Sequence, residues 1–323
     1  FVLQSGSRDY SQDDQNPHYD ARWCLKNTHE RTGAPTYFFD VLPRPEDGPL
    51  HVDLWRPPER LSLLDMAHVK TTHGLSETLI TSIRQTDPSS LFLVYHNRLG
   101  TARFLLCLSC EYRWLCGACH RPLRVDDTSF SCTGCKTRFP LPLSCPSCHG
   151  TNLTTKGIGI KNLQSRLRRL FEDRVVCTVQ AGDTFPERGI AIVTNALWSH
   201  AILPPISGIA IPYLEHVFVH TGFDAEERAY RTIRRLAGLA LDFGVPCIMQ
   251  AWDAALLSSA LRSTQKIFQE ENTLRKQLGY PPFQNLVTVL NTKTNSVVTK
   301  RLSPDVVDST LASLPPSFDI SVR

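Results

Sequence analysis

An α/β fold interrupted by a small metal-binding module is the class this sequence predicts. Three observations carry it. First, Leu75 to Gln85 spaces Leu75, Leu79, Ile80 and Ile83 as one helical face behind the candidate N-cap Ser76, and Leu91-Phe92-Leu93-Val94-Tyr95 follows as a short apolar run suited to a buried strand. Second, the same alternation resumes downstream, with a helix over Lys161 to Phe171 and strands over Val175 to Val179 and Ile190 to Thr194. Third, eight of the 11 cysteines lie between these stretches, as four C-x2-C pairs: Cys107/Cys110, Cys116/Cys119, Cys132/Cys135 and Cys145/Cys148.

The elements read in order as follows. Phe1-Val2-Leu3 reads as the end of a strand, and Tyr19 to Asn27 as a short helix after a polar stretch. Residues 41–60 hold Pro43, Pro45, Pro49, Pro57 and Pro58 and read as a connector. In the helix after the cysteines, Leu163, Leu167, Leu170 and Phe171 share one face and Arg166, Arg168 and Arg169 the other. Glu226 to Leu241 is a third helix, and Ala254 to Leu278 a single long one stopped by Pro281-Pro282. Leu286 to Leu290 is a strand, and there is no internal repeat beyond the cysteine pairs.

The 323 residues suggest two or three domains, and 41% hydrophobic against 20% charged residues supports packed cores. No stretch approaches the ~18–20 apolar residues of a membrane span, so no membrane partner is expected. Phe1 is not preceded by a start Met, and no basic segment leads into an apolar run; the expectation is the later part of a longer chain without a signal peptide. Formal net charge is +4. A zinc ion held by four thiolates leaves a charge of about −2, so two such sites would cancel it. Nucleic-acid binding would then rest on local basic patches. Cys24, Cys177 and Cys247 stand apart in apolar contexts, which with the metal-type pairs implies a reducing cytoplasm.

A C-x2-C knuckle offers two thiolates from one tight turn, and two knuckles complete a tetrahedral zinc site. The gaps between successive pairs are 5, 12 and 9 residues. Twelve residues suit the hairpin of a zinc ribbon, so spacing favours an inner site of Cys116, Cys119, Cys132 and Cys135, with Cys107, Cys110, Cys145 and Cys148 closing a second around it. The sequential alternative joins the first pair to the second and the third to the fourth. Disulfides and iron–sulfur ligation are the competing chemistries. Both zincs would be closed and structural, and His120 and His149 read as surface residues beside the ligands. Tyr112, Trp114 and Phe130 are interleaved with Arg113, Arg121, Arg124, Lys136 and Arg138. Such aromatics either stack on bases or form the tiny core a ribbon needs, and both readings stay open; the exposed basic residues favour phosphate contact.

Asn97-Arg98-Leu99-Gly100-Thr101-Ala102-Arg103-Phe104-Leu105-Leu106 leads directly into Cys107 and the cysteine pairs. With this run the chain resembles the PriA replication-restart DNA helicases (primosomal protein N′), whose second helicase lobe carries a two-zinc insertion after an Asn-Arg-Arg-Gly segment. Pro17-x-Tyr19-x-Ala21-Arg22, Cys145-Pro146-Ser147-Cys148, Gly157-x-Gly159, Asp183-Thr184 and Gly279-Tyr280-Pro281-Pro282-Phe283 match family segments in the same order. The resemblance implies a lobe-one remnant over 1–40, a connector over 41–60 and a RecA-like second lobe of superfamily 2 type over 61–106 and 151–253. It further implies a zinc insertion over 107–150, a linker helix over 254–279 and the start of an α+β C-terminal domain over 280–323.

Departures from the family pattern bear on activity. The Asp-Glu-Glu-His box expected after Phe1-Val2-Leu3 is Gln4-Ser5-Gly6-Ser7, and Gln and Ser cannot order Mg²⁺ and the attacking water as a carboxylate does. The Gly-Ser-Ala-Thr-Pro motif shrinks to Gly33-Ala34-Pro35, and the fifth motif, begun at Thr194-Asn195, loses its Lys-Gly at Ser199-His200. The two arginines of the last motif become Leu239 and Asp242, with Arg234 and Arg235 nearby as the only substitutes. The resemblance therefore implies a cytoplasmic, nucleoid-associated bacterial primosomal protein that binds forked or single-stranded DNA, with no catalytic residues of its own. ATP and Mg²⁺ are the cofactors the family implies; its phosphate-binding loop would lie before residue 1, and the departures above count against them here. Implied partners are primosome proteins, single-strand binding protein and the replicative helicase loader. Alternatives are an active ATP-dependent 3′–5′ helicase with divergent motifs, or a zinc-ribbon adaptor without DNA binding. The candidate DNA-contacting residues are Arg113, Trp114, Arg121, Arg124, Lys136, Arg138, Arg166, Arg168 and Arg169.

Overall fold

The computed structural model describes residues 2–4, 11–12, 19–47, 55–97, 103–107, 109–110, 112, 114, 123–125, 130–132, 137–156, 159–200, 202–218, 223–252, 254–291, 296–303 and 318–322. In chain order its elements begin with β1 (Val2–Gln4), β2 (Ser11–Gln12), β3 (Tyr19–Asp20), α1 (Ala21–Thr32) and β4 (Tyr37–Phe39). Then come β5 (Leu61–Asp65), β6 (Thr71–Thr72), β7 (Leu75–Ser76), α2 (Glu77–Gln85) and β8 (Leu91–Tyr95). The cysteine region supplies β9 (Arg103–Cys107), β10 (Leu123–Val125), β11 (Phe130–Cys132), β12 (Arg138–Phe139) and β13 (Leu153–Lys156). Beyond it lie α3 (Ile160–Leu170), β14 (Val176–Val179), β15 (Gly189–Val193), β16 (Ile206–Ile211), α4 (Ala225–Asp242), β17 (Cys247–Ala251), α5 (Ala254–Ala260), α6 (Thr264–Leu278), β18 (Asn285–Asn291), β19 (Ser296–Leu302) and β20 (Phe318–Val322). Two compact units divide the chain, Pro57–Leu261 and the pair of segments Phe1–Arg56 and Arg262–Arg323.

The larger unit is built on a six-stranded sheet in the order β14-β15-β8-β16-β17-β5. Every pairing in it is parallel. Strands of this kind are covered on both faces and read as continuous apolar runs. Period-two alternation explains how β8 serves both: Leu91, Leu93 and Tyr95 enter one core and Phe92 and Val94 the other. On the second face lie α2, with Leu79, Ile80 and Ile83, and α3, with Leu163 and Leu167. The first face receives Ala229, Ile233, Leu236, Ala237 and Ala240 of α4. At roughly 1.5–3 kcal/mol per fully buried large aliphatic side chain, these two layers outweigh any single polar contact.

Ser76 caps α2, its Oγ accepting from the Leu79 amide at 3.1 Å. That hydroxyl also accepts from Gln250 Nε2 of β17 at 2.8 Å, so a buried polar pair fixes the helix start against the sheet. The exposed edge strand β14 is blunted by side chains of α3. Arg168 Nη2 and Gln164 Nε2 donate to the Val176 carbonyl at 3.1 and 3.2 Å.

The cysteine region forms a separate five-stranded antiparallel sheet, β12-β11-β10-β9-β13. It leaves the parallel sheet after β8 and returns at α3, so it is an insertion in one βα crossover. Leu105, Leu123 and Phe130 make its small core, with Trp114, Val125, Phe139 and Leu153 packed around them.

In the smaller unit α1 starts at Asp20, which caps the Arg22 amide at 2.9 Å, and ends at left-handed Gly33. The helix begins two residues later than expected at Tyr19 and continues to Thr32. The expected single helix over Ala254 to Leu278 is two helices, α5 and α6. The physical reason is Ser263, whose extended backbone and side chain, accepting from the Lys266 amide at 3.2 Å, start a new helix. The chain ends in a three-stranded antiparallel sheet, β19-β18-β20.

Candidate metal centre

Cys107 is the last residue of β9, and Cys110 follows in the next turn. Cys145 opens the second turn and Cys148 closes it. In that turn the His149 amide donates to the Cys145 carbonyl and the Cys145 amide to the Gly150 carbonyl, each at 2.9 Å. The Ser147 amide points at Cys145 Sγ at 3.4 Å, as amides in metal knuckles do toward thiolates.

These two turns bring the first and fourth cysteine pairs together. All four sulfurs lie within 4.8 Å of one another, with Cys107 and Cys145 buried and Cys110 and Cys148 exposed. Cys107 Sγ is 3.5 Å from Cys148 Sγ, and Cys110 Sγ is 3.5 Å from Cys145 Sγ. A disulfide needs about 2.05 Å, whereas four sulfurs around a tetrahedral zinc at ~2.3 Å stand about 3.8 Å apart. The donor set and spacing therefore fit zinc.

Desolvation works against ionising Cys107, but amides of Cys110 and Ser109 outweigh it and hold the thiol down to about 6. For Cys148, the Gly150 amide favours ionisation, yet the neighbouring Cys110 and Cys107 sulfurs push it up to about 12. Like charges cannot accumulate there without a cation to balance them.

Cys116, Cys119 and Cys135 lie outside the described residues, as do the Cys132 side chain and His120. His149 is exposed, with a left-handed backbone (φ 57). Among the basic candidates Arg113, Arg121 and Lys136 also lie outside the described residues, as does the Arg124 side chain on β10. Arg138 is exposed on β12. Trp114 is half-buried, edge-on to Phe130 at 6.4 Å and to Tyr112 at 5.1 Å, so it contributes to the module's core. Arg166 and Arg169 line one groove of α3, while Arg168 is turned to the Val176 carbonyl.

A second polar constellation, which joins the Asn97 and Thr194-Asn195 segments singled out separately in the sequence, sits at the carboxyl ends of β8 and β15. The Tyr95 hydroxyl donates to Asn195 Oδ1 at 2.6 Å, and the Asn195 amide donates to Asn97 Oδ1 at 3.3 Å. Thr194 caps the following turn through the Ala196 amide. In α4 Leu239 packs on the core, Arg234 is buried, and the Arg235 guanidinium lies 5.6 Å over the Trp198 ring.

No family model matches the chain. Curated relatives do. Replication restart protein PriA of Haemophilus influenzae is 25% identical over 244 residues, 68% of this chain and 33% of that protein. The PriA of Thermotoga maritima is 24% identical over 276 residues, 79% of this chain and 36% of its own length. That of Treponema pallidum is 24% identical over 253 residues, covering 71% of the chain and 38% of the relative. The chain thus spans between a third and two-fifths of the length of these relatives. Over about seven-tenths of its residues, this chain is similar to replication restart protein PriA, the family that its cysteine pairs and their flanking segments resemble.

Proposed function

We propose that this chain is a PriA-like primosomal protein that binds forked or branched DNA in replication restart, stabilised by structural zinc and without a working ATPase motor. One observation carries the reading: four thiol sulfurs gather within 4.8 Å at an antiparallel insertion between β8 and α3 of a parallel sheet, the order of elements in which the resemblance sets its zinc-bearing lobe. Cys107, Cys110, Cys145 and Cys148 hold one zinc, and Cys116, Cys119, Cys132 and Cys135 a second. Each metal crosslinks strands too short to hold together by their own core. In this reading 61–106 and 151–253 act as a RecA-like second lobe, and 280–323 begins an α+β domain. DNA contact falls to the basic residues of the insertion, Arg113, Arg121, Arg124, Lys136 and Arg138, and to the groove of α3. Partners by likeness are primosome proteins, single-strand binding protein and the helicase loader. The test is binding of zinc-loaded chain to forked and to linear DNA, with metal content measured alongside. Preference for the fork with two zincs per chain supports the reading; zinc-loaded chain that binds neither DNA rejects it.

A further inference from the structure

The groove beside α3 is a concave, strongly cationic surface. It has a volume of about 730 Å³ and is lined by His73, Lys161, Asn162, Ser165, Arg166 and Arg169. All six belong to the larger unit. Two segments far apart in sequence make it. One is the β6–β7 hairpin turn, in which His73 (φ 53) and Gly74 (φ 80) both take left-handed backbone. The other is the solvent face of α3.

We infer that this groove is a track for the phosphodiester backbone of DNA, in which Lys161 and Arg169 contact phosphate and Arg166 is a positioned third cation. The inference rests on the DNA-binding reading above and narrows it to a site. Several features support it. The lining carries three cationic side chains, hydroxyl and amide donors, and no carboxylate. Its lining holds no Phe, Tyr, Trp or aliphatic residue on which a base could stack, so the backbone is the part of a nucleic acid that it suits. Lys161 and Arg169 are exposed, and no carboxylate among the described residues pairs with either.

Helix electrostatics alone do not explain the charges. Arg168 and Arg169 in the last turn suit the negative end of the helix dipole, but Lys161 lies in the first turn, where a cation is disfavoured and no acidic residue offsets it. Arg166 is fixed in place. Its Nε donates to Asn162 Oδ1 at 2.9 Å, and its Nη1 to the His73 carbonyl. A guanidinium already oriented loses less freedom when it meets a phosphate. Because α2 and α3 lead into parallel strands, their amino ends, and with them the Lys161 end of the groove, lie at the carboxyl rim of the sheet, where ligands of open α/β sheets bind.

The test uses the zinc-loaded chain and the salt dependence of its affinity for labelled duplex and for oligo(dT). Each lost phosphate contact lowers the slope of log K against log salt by about 0.9 on duplex and about 0.7 on single strands. The double variant Lys161→Ala/Arg169→Ala should therefore lose about 1.8 of slope on duplex, or about 1.4 on oligo(dT). Arg60→Ala/Arg188→Ala removes the same charge before β5 and β15, at residues that do not line the groove, and should leave the slope unchanged. Ser165→Glu, at an exposed position, should weaken binding at low salt and recover at high salt, independently of any folding defect in the double variant. Wild-type binding with an unchanged slope in Lys161→Ala/Arg169→Ala overturns the groove while leaving the DNA-binding reading intact. Loss of pyrophosphate binding with DNA slopes unchanged also overturns it, in favour of a free-phosphate site. A wild-type chain that binds no DNA removes both.

Discussion

Arg275 of α6 and Glu46 of the Pro45–Asp47 turn meet at 2.8 Å across 229 residues of sequence. The same guanidinium donates to Glu271 Oε1 at 2.9 Å one helical turn back and to the Pro281 carbonyl at 3.2 Å. Arg275 is 1% exposed. A stretch that its prolines mark as a connector is therefore pinned to a helix within one compact unit.

Arg275→Ala should destabilise the protein by about 3–5 kcal/mol, because it strands the buried Glu271 carboxylate without its cation. Glu46→Gln should cost less, about 1–2 kcal/mol, since Glu46 is 21% exposed and its amide still accepts a hydrogen bond. Urea unfolding of both variants checks the order. A milder effect for Arg275→Ala than for Glu46→Gln would contradict the burial argument.

Gly208→Ala should also destabilise, by about 1–3 kcal/mol through overpacking. A Cβ at that position would stand 2.3 Å from Phe92 Cε2 in the middle of the second core, and Phe92 is fully buried with nowhere to go. The β16–β8 register shifts between Ile206 and Gly208, which is how the ring finds room. Phe92→Leu should suppress the defect, and thermal melts of the single and double variants would reveal the coupling.

The contrast between β8 and β16 shows what the chain discloses about itself. Leu91 to Tyr95 is an unbroken apolar run beside a helix with a legible cap at Ser76, and both elements are where those residues point. Ile206–Ile211 is equally buried but interrupted by Ser207 and Gly208, whose roles are a hydrogen bond to the Leu91 carbonyl and space for Phe92. Those roles exist only after the sheet has formed. In β17, Gln250 is likewise polar for the sake of Ser76. The break before α6 turned on one serine cap within a continuous helical pattern. The C-x2-C spacing disclosed the knuckles, while the α3 groove needed His73 brought 93 residues along the chain to Arg166.

Acid should weaken the α1 start in a defined sense. Burial raises the Asp20 carboxyl, but the hydrogen bonds and charge of Arg22 more than offset this and hold it below the usual 3.8. A carboxylate with a depressed folded-state value stabilises above its unfolded value and loses that contribution as pH falls through the folded one. Asp20→Ala should therefore lower stability by about 1 kcal/mol at neutral pH, the worth of an N-cap, with the gap closing below pH 3.8. Melts at pH 7 and in strong acid test this; a gap that widens in acid would contradict it.

Chelation should unfold the cysteine insertion while sparing the parallel sheet. The insertion core is three buried side chains, whereas each face of the six-stranded sheet has a full layer. Structural zinc in small peptides is worth roughly 10–16 kcal/mol of apparent binding free energy, far more than such a core supplies. Hydrogen exchange with and without chelator should show protection lost over 103–156 and kept over Leu91–Tyr95 and Ile206–Ile211. Cys107→Ser and Cys145→Ser should each release one zinc equivalent, and full retention of metal in both would reject the four-thiolate site.

No DNA-stimulated ATP hydrolysis is expected of this chain in the proposed reading. The fold does not need that chemistry: Leu91 to Val94, Ile190 to Val193 and the α4 face of Ile233, Leu236 and Ala237 are all buried. Catalysis needs charges at fixed points, and in the proposed reading two of them are missing. There Gln4, at the end of β1, stands where the resemblance sets an acid box whose carboxylate would order Mg²⁺. At the far motif Leu239 packs into the core and Asp242 brings the opposite sign to an arginine finger, a group worth about 10³–10⁵ in rate. The nearby cations are otherwise engaged, Arg234 within the interior and Arg235 over the Trp198 ring. Because the two defects act at separate points on the nucleotide, repairing one should not restore turnover. Phosphate release on forked DNA is the deciding measurement. Turnover above background that disappears in Arg234→Ala or Arg235→Ala would mean that displaced arginines serve as fingers and that the motor still runs.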